Sequence, residues 1–179
     1  MLKFAIIPVT PFDQNCSLIW CTETKRAAAV DPGGDIDRIL AEVERQGVTL
    51  EKILLTHGHL DHVGGSAELA RAAGVQIIGP QREDAFWIDA LAEQCRMFGF
   101  PPAEPFVPTR WMHDGDTVRI GGYELQVRHC PGHTPGHVVF HAPQIDAETH
   151  IEGLTIDALQ AANSGESTYG VRMDAGLSK

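Results

Sequence analysis

The segment THGHLDHVGG at residues 56–65 constrains this chain more than any other part of its sequence. It follows a short, wholly apolar run, ILL at 53–55, which is typical of a central strand covered on both faces. The loop after such a strand is where α/β proteins tend to carry functional side chains. Within six positions of this loop stand His57, His59, Asp61 and His62.

The spacing of these four residues predicts a metal site. Side chains two apart on an extended chain point to the same side, so His57 and His59 can reach one ion. Asp61 and His62 follow as the chain turns into a helix, and they can face a neighbouring position. Imidazole and carboxylate ligands without thiolate suit zinc, iron or manganese and argue against a closed, cysteine-based structural zinc site.

A second motif, CPGHTPGH at 130–137, follows the predicted strand YELQVRH at 123–129. His133 lies between two Pro/Gly turns, as a loop-borne ligand would, and we predict that it is the third strong ligand. His137 begins the predicted strand HVVFH and is expected to cap or pack. The other histidines have no such context and are expected to be ordinary surface or packing residues: His113, His129, His141 and His150.

Strand and helix patterns alternate along the chain and predict an α/β or α+β fold with layered sheets and helices outside. Apolar residues at helical spacing predict helices ending at Gly47 and Gly74, and a third helix over 83–98. The remaining apolar runs predict strands, and Gly121–Gly122 separates two of them as a β-hairpin. The predicted strands are KFAIIPV, CSLIWC, RAAAVD, ILL, VQIIG, DTVRI, YELQVRH and HVVFH.

Composition narrows the class of partner. The net charge of −10 disfavours nucleic acid and anionic membranes and favours a small-molecule substrate. The four cysteines form no CxxC pair, which indicates reduced, mostly buried thiols in a cytoplasmic protein. The apolar run Phe4–Val9 is broken by Pro8 and is too short for a signal peptide or a membrane span.

Three motifs in this order, VDPGG, THGHLDHVGG and CPGHTPGHVVF, resemble the metallo-β-lactamase-fold hydrolases. The chain is most similar to the glyoxalase II group, the hydroxyacylglutathione hydrolases, and especially to their short bacterial branch. The segments IIPVTPFDQNCSLIW and RMFGF are also similar to that branch. The resemblance runs from about Phe4 to about Phe140.

The resemblance implies an αββα sandwich with a two-metal site at one edge. His57, His59 and His133 would hold one ion, and Asp61 and His62 would bind a second. The ions would be one or two Zn²⁺, with iron or manganese as alternatives. Asp31, in VDPGG, would orient a ligand histidine; on the sequence alone it is equally a turn residue before Pro32. Asp61 would also be the catalytic residue that orients the attacking water.

The activity implied is hydrolysis of S-2-hydroxyacylglutathione to glutathione and a 2-hydroxy acid by a zinc-dependent thioesterase. One alternative is a mononuclear iron enzyme that oxygenates persulfides, which shares the fold. The other is a truncated, non-catalytic remnant that binds one metal or none.

After Phe140 the resemblance fades, so we predict a domain over 1–140 and a diverged, poorly ordered tail over 141–179. The family supplies a bridging aspartate and a further histidine ligand there, but no histidine lies beyond His150. Asp157 is a weak candidate for the bridging aspartate, because Ile156 stands where the family has glycine. An incomplete second half would expose a sheet edge and favour self-association.

Overall fold

A computed structural model describes residues 1–143, which form two sheets with helices against one of them. The first sheet has five strands: β1 (Leu2–Val9), β2 (Gln14–Cys21), β3 (Arg26–Val30), β4 (Thr49–Leu54) and β5 (Gln76–Ile78). They are hydrogen-bonded in the order β1-β2-β3-β4-β5. The second has the order β6-β7-β8, with strands β6 (Thr117–Ile120), β7 (Tyr123–His129) and β8 (Val138–His141).

The first sheet is mixed. Strands β1, β2 and β3 pair antiparallel, whereas β4 runs parallel to β3 and β5 runs parallel to β4. Each parallel connection requires a crossover. Helix α1 (Ile36–Gln46) makes the first, and helices α2 (Leu60–Val63) and α3 (Ser66–Ala73) make the second.

Alternate residues of β3 and β4 enter two different cores, because both faces of the first sheet are covered. One core joins this sheet to the helices and includes Ala27, Ala29, Ile39, Ile53 and Leu69. The other joins it to the second sheet and includes Ala28, Val30, Leu54, Val127 and Phe140. The order of layers is therefore helices, five-stranded sheet, three-stranded sheet, and the predicted layered α/β class is confirmed. No second helix layer lies within residues 1–143, so that part of the αββα sandwich stays a prediction.

Two predicted helix ends are confirmed. Helix α1 ends at Gly47, with φ 61°, and α3 ends at Gly74, with φ 67°. Both glycines adopt the left-handed conformation that lets a helix terminate. None of the described helices has the length and apolar character needed to cross a membrane.

Residues 83–98 are helical, as predicted, but they form separate helical pieces and not one helix. The structure has a 3₁₀ turn at Arg82–Asp84, then α4 (Ala85–Asp89) and α5 (Leu91–Phe98), with a break at Ala90. The side-chain amide of Gln94 donates to the Trp87 carbonyl at 2.7 Å across the break. The spacing of apolar residues cannot show where this break falls.

Candidate metal centre

Two segments meet at one end of the layered sheets. We name residues 56–62, which follow β4, the first ligand segment, and residues 130–137, which follow β7, the second ligand segment. The amide of Val138, which directly follows the second segment, donates to the Thr56 carbonyl at the start of the first at 2.8 Å. The candidate ligands of the first sheet are thus brought to those of the second.

Three histidines predicted to bind one ion come together there. The ligating nitrogens of His57, His59 and His133 all lie within 4.8 Å of one another. Their ring centroids are 4.8 Å apart for His57–His59, 4.9 Å for His57–His133 and 4.7 Å for His59–His133. The three imidazoles can therefore face one ion, although His133 is far from the other two in sequence.

Hydrogen bonds set the tautomer of His57. The Thr56 hydroxyl donates to Asp31 Oδ2 at 2.5 Å, so it is free to accept from His57 Nδ1, 2.9 Å away. The proton of His57 then lies on Nδ1, and its Nε2 carries a lone pair. That Nε2 is buried and has no hydrogen-bond partner among the described residues.

The unsatisfied His57 nitrogen tests whether a metal fits. A buried acceptor without a partner costs about 1–3 kcal/mol. An ion bonded to the three imidazoles would satisfy it, and three neutral imidazoles are a common donor set for zinc. The residues present therefore fit a metal ion at this position.

The electrostatics of the cluster favour the metal-binding form of the histidines. Burial lowers the pKa of the His57 imidazole well below its usual range, and the other four imidazoles nearby add to the effect. Burial also lowers the pKa of His59, and His133 contributes in the same direction. Both imidazoles are neutral at neutral pH, which is the state that coordinates a metal.

Asp31 lies beneath the first ligand segment and is fully buried. Its Oδ1 accepts from the Thr56 amide at 2.8 Å, and its Oδ2 lies 3.0 Å from His62 Nδ1. Its φ is 52°, so it is also a turn residue. The two alternatives considered for Asp31 are therefore compatible, because one residue both turns the chain and holds two histidines of the cluster.

The position predicted for a second ion brings together fewer of its predicted ligands than the three-histidine position does. His62 Nε2 lies 3.6 Å from Asp61 Oδ2, and the Asp61 side chain is 27% exposed. Geometry also groups His62 with Asp31 and His57, whose ligating atoms lie within 4.8 Å of one another. Asp61 is in neither group of three, but its carboxylate is partly exposed beside His62. Asp157 and His150 lie outside the described residues.

The other histidines fall into two kinds. His137 is 8% exposed, and its ring centroid lies 5.2 Å from that of His57, so it packs beside the cluster. His113 and His129 lie away from it: His113 Nδ1 is 3.7 Å from Asp116, and His129 Nε2 is 2.7 Å from the Pro135 carbonyl.

Sequence reasoning missed two neighbours of the site. Asp84 is fully buried and accepts hydrogen bonds from both ligand segments. An aspartate directly before a helix ordinarily reads as an N-cap, but this side chain makes no capping bond. Trp87 packs edge-on against His59, with ring centroids 4.7 Å apart. The sequence placed Trp87 only within the predicted helical segment 83–98.

Comparison with known proteins agrees with this geometry. The model of the Metallo-beta-lactamase superfamily matches residues 9–144. The chain is 45% identical over 140 residues to "Hydroxyacylglutathione hydrolase GloC" of Haemophilus influenzae, covering 78% of this chain and 66% of that protein. It spans about half the length of other curated relatives it matches. The resemblance inferred from the three motifs is confirmed.

Two solved structures share the fold. The BLEG-1 B3 metallo-beta-lactamase superposes with a TM-score of 0.71 at 27% identity, covering 80% of this chain and 68% of that one. TTHA1623, solved in a di-iron-bound form, has a TM-score of 0.68 at 31% identity, covering 78% of this chain and 67% of that one. The likeness thus extends to the described sheets and helices and to the ligand segments between them.

Proposed function

This chain belongs to the metallo-beta-lactamase superfamily, and from that premise we propose that it is a metal-dependent hydrolase of glutathione thioesters. The observation that carries the proposal is the 45% identity to a hydroxyacylglutathione hydrolase over a stretch that includes both ligand segments. The proposed reaction is S-2-hydroxyacylglutathione plus water giving glutathione and a 2-hydroxy acid. The three convergent imidazoles support the metal dependence.

We assign the first ion to His57, His59 and His133, and a second position to Asp61 and His62. Zinc is the proposed metal, because neutral imidazoles suit it. Iron is the alternative that a relative in di-iron form supports. The chemistry that such an ion supplies is that of a Lewis acid, which lowers the pKa of water and polarises a carbonyl.

The residues of the chain have separate tasks in this proposal. The Asp61 carboxylate, partly exposed beside His62, accepts a hydrogen bond from the attacking water and orients it. Asp31 holds His62 directly and His57 through Thr56, so these rings keep one orientation. The leaving thiolate needs little protonation, since an unperturbed thiol has a pKa of about 8.5.

The test is hydrolysis of S-lactoylglutathione by the zinc-loaded full chain, followed by release of free thiol. We expect thiol and lactate in equal amounts, and no thiol after chelation of the metal. A His113→Ala variant, altered at an exposed histidine away from the cluster, should retain full activity. If the zinc-bound protein releases no thiol, the thioesterase proposal is refuted, and the result favours a non-catalytic protein that only binds metal.

The alternative function, a mononuclear iron enzyme that oxygenates persulfides, is tested in the same preparation. Metal analysis of protein as purified, together with oxygen uptake on a glutathione persulfide, distinguishes the two enzymes. Iron content with oxygen consumption and no thioester hydrolysis would favour the persulfide oxygenase.

We further propose a cytoplasmic setting and a small-molecule partner. The setting is supported by the cysteines: Cys16, Cys21 and Cys95 are buried, Cys130 is exposed, and no disulfide joins them. A small substrate is supported by the activity that the name of the Haemophilus influenzae relative states. Self-association stays a prediction, which gel filtration would test.

A further inference from the structure

The segment before helix α4 supplies a buried carboxylate that touches both ligand segments. Asp84 Oδ2 accepts from the Gly58 amide at 2.8 Å and from the Thr134 hydroxyl at 2.7 Å. Its Oδ1 accepts from the Gly136 amide at 2.6 Å. Two donors therefore come from the second ligand segment and one comes from the first.

Two of the three donors are adjacent in the chain to a candidate ligand. Gly58 lies between His57 and His59, and Thr134 directly follows His133. A displacement of the Asp84 carboxylate would therefore act on all three imidazoles through one or two backbone units. All three partners are donors, so the side chain is suited to the site only as a carboxylate, which offers two acceptors.

The backbone approaches Asp84 too closely for a side chain at either glycine. A Cβ at Gly136 would lie 2.6 Å from the Asp84 amide nitrogen and 2.8 Å from its Cβ. A Cβ at Gly58 would lie 2.9 Å from the Asp84 carbonyl oxygen. The Gln81 amide also donates to the Gly136 carbonyl at 3.1 Å. The backbones of both ligand segments thus pack directly against the turn that contains Asp84.

We propose that Asp84 is a positioning residue for the metal centre. It holds the two ligand segments at a fixed separation, so that His57, His59 and His133 are arranged for an ion before the ion arrives. The inference rests on the three-histidine position assigned above, but it does not depend on the substrate. Its role is distinct from that of Asp31, which hydrogen-bonds within the first ligand segment.

The test is metal affinity measured on the full chain, with zinc by chelator competition and with cobalt by its visible absorption. Asp84→Asn keeps the size of the side chain but presents an NH₂ group to at least one donor. We expect affinity to fall about 10- to 100-fold, the usual effect of removing a group that orients metal ligands. The cobalt spectrum should change as well, because it reports ligand geometry. Asp89→Asn, at an exposed position of α4, is the matched control and should leave both readouts unchanged.

A second pair of variants keeps the test valid if Asp84→Asn does not fold. Thr134→Val removes one of the three donors and should lower zinc affinity by a smaller factor, whereas Thr134→Ser retains the hydroxyl and should restore it. A general loss of packing would not be rescued by serine, which lacks the methyl group.

The outcomes separate this inference from the proposed function. Wild-type affinity and an unchanged cobalt spectrum in folded Asp84→Asn would overturn the inference, as would equal affinities for Thr134→Val and Thr134→Ser. A wild-type chain that binds zinc but hydrolyses no thioester would refute the function alone. A wild-type chain that binds neither zinc nor cobalt would overturn both.

Discussion

The two ligand segments differ in how the fold holds them. The first is enclosed: Thr56 and His57 are buried above Asp31, and the segment continues into helix α2. The second is exposed from Cys130 to His133, and Asp84 contacts it only further along. The difference indicates that burial in the core fixes the conformation of the first segment, whereas a few polar contacts orient the second. A ligand of the first segment should therefore affect both folding and metal binding, and a ligand of the second should affect metal binding alone.

The largest effect should come from Asp61, which belongs to the first segment but is partly exposed. Asp61→Asn should lower thioester hydrolysis about 100- to 10,000-fold, the range for loss of a group that handles a proton or orients water. Zinc affinity at the three-histidine position should stay almost unchanged. Steady-state kinetics and zinc competition on the same preparation check this. Equal losses in the rate of hydrolysis and in zinc affinity at the three-histidine position would contradict the role given to Asp61.

Paired alanine variants compare the two segments directly. His57→Ala and His133→Ala should each lower zinc affinity about 100- to 1,000-fold, if one ligand supplies about a quarter of the 10–16 kcal/mol typical of zinc sites. The metal-free proteins should differ. His133→Ala should change the free energy of unfolding by under about 0.5 kcal/mol because His133 is exposed, whereas His57→Ala should lose about 1–3 kcal/mol. Urea titrations measure both stabilities, with His113→Ala as the reference. Similar losses in His57→Ala and His133→Ala would contradict the difference proposed between the two segments.

A smaller effect is expected beneath the first segment. Asp31→Asn should reduce zinc affinity about 10- to 100-fold, because His57 and His62 lose the group that orients them. Thr56→Val breaks the link to His57 only and should have a weaker effect. Zinc competition is the measurement, with Asp37→Asn, an exposed aspartate of α1, as control. If Thr56→Val is as damaging as Asp31→Asn, the Asp31–His62 contact contributes little.

The smallest effect is a pH dependence of the metal-free protein. The folded pKa values of His57 and His59 are lowered, while an unfolded imidazole titrates near 6.5. Below about pH 6.5 the unfolded chain therefore binds more protons than the folded one, so stability is full above that pH and falls as pH drops. Urea midpoints between about pH 7.5 and 5 should show this, and His57→Gln should flatten the slope. A slope unchanged in His57→Gln would mean that other groups produce it.

Much of the candidate site was predictable because its ligands are local in sequence. The spacing of His57 and His59 requires only an extended segment after an apolar strand, and Asp61 and His62 lie in the short helix α2 that follows it. His133 was predictable from a second motif of the same kind, with turn residues on either side. The helix ends at Gly47 and Gly74 were predictable for the same reason, because a single residue type permits the conformation.

The residues alone do not predict the contacts that orient these candidate ligands, because the contacts join positions remote in the chain. The family resemblance implied an orienting role for Asp31, but nothing in the sequence indicated one for Asp84. Asp31 reaches Thr56 across 25 positions and His62 across 31, and Asp84 reaches Thr134 across 50. Their sequence contexts, a turn before proline and a residue before a helix, indicate local roles. The candidate ligands follow from residue type and short spacing. The tautomer of His57, the separation of the two segments and the place of Asp84 between them exist only once two sheets have packed, since packing removes water from these groups and leaves them one another as partners.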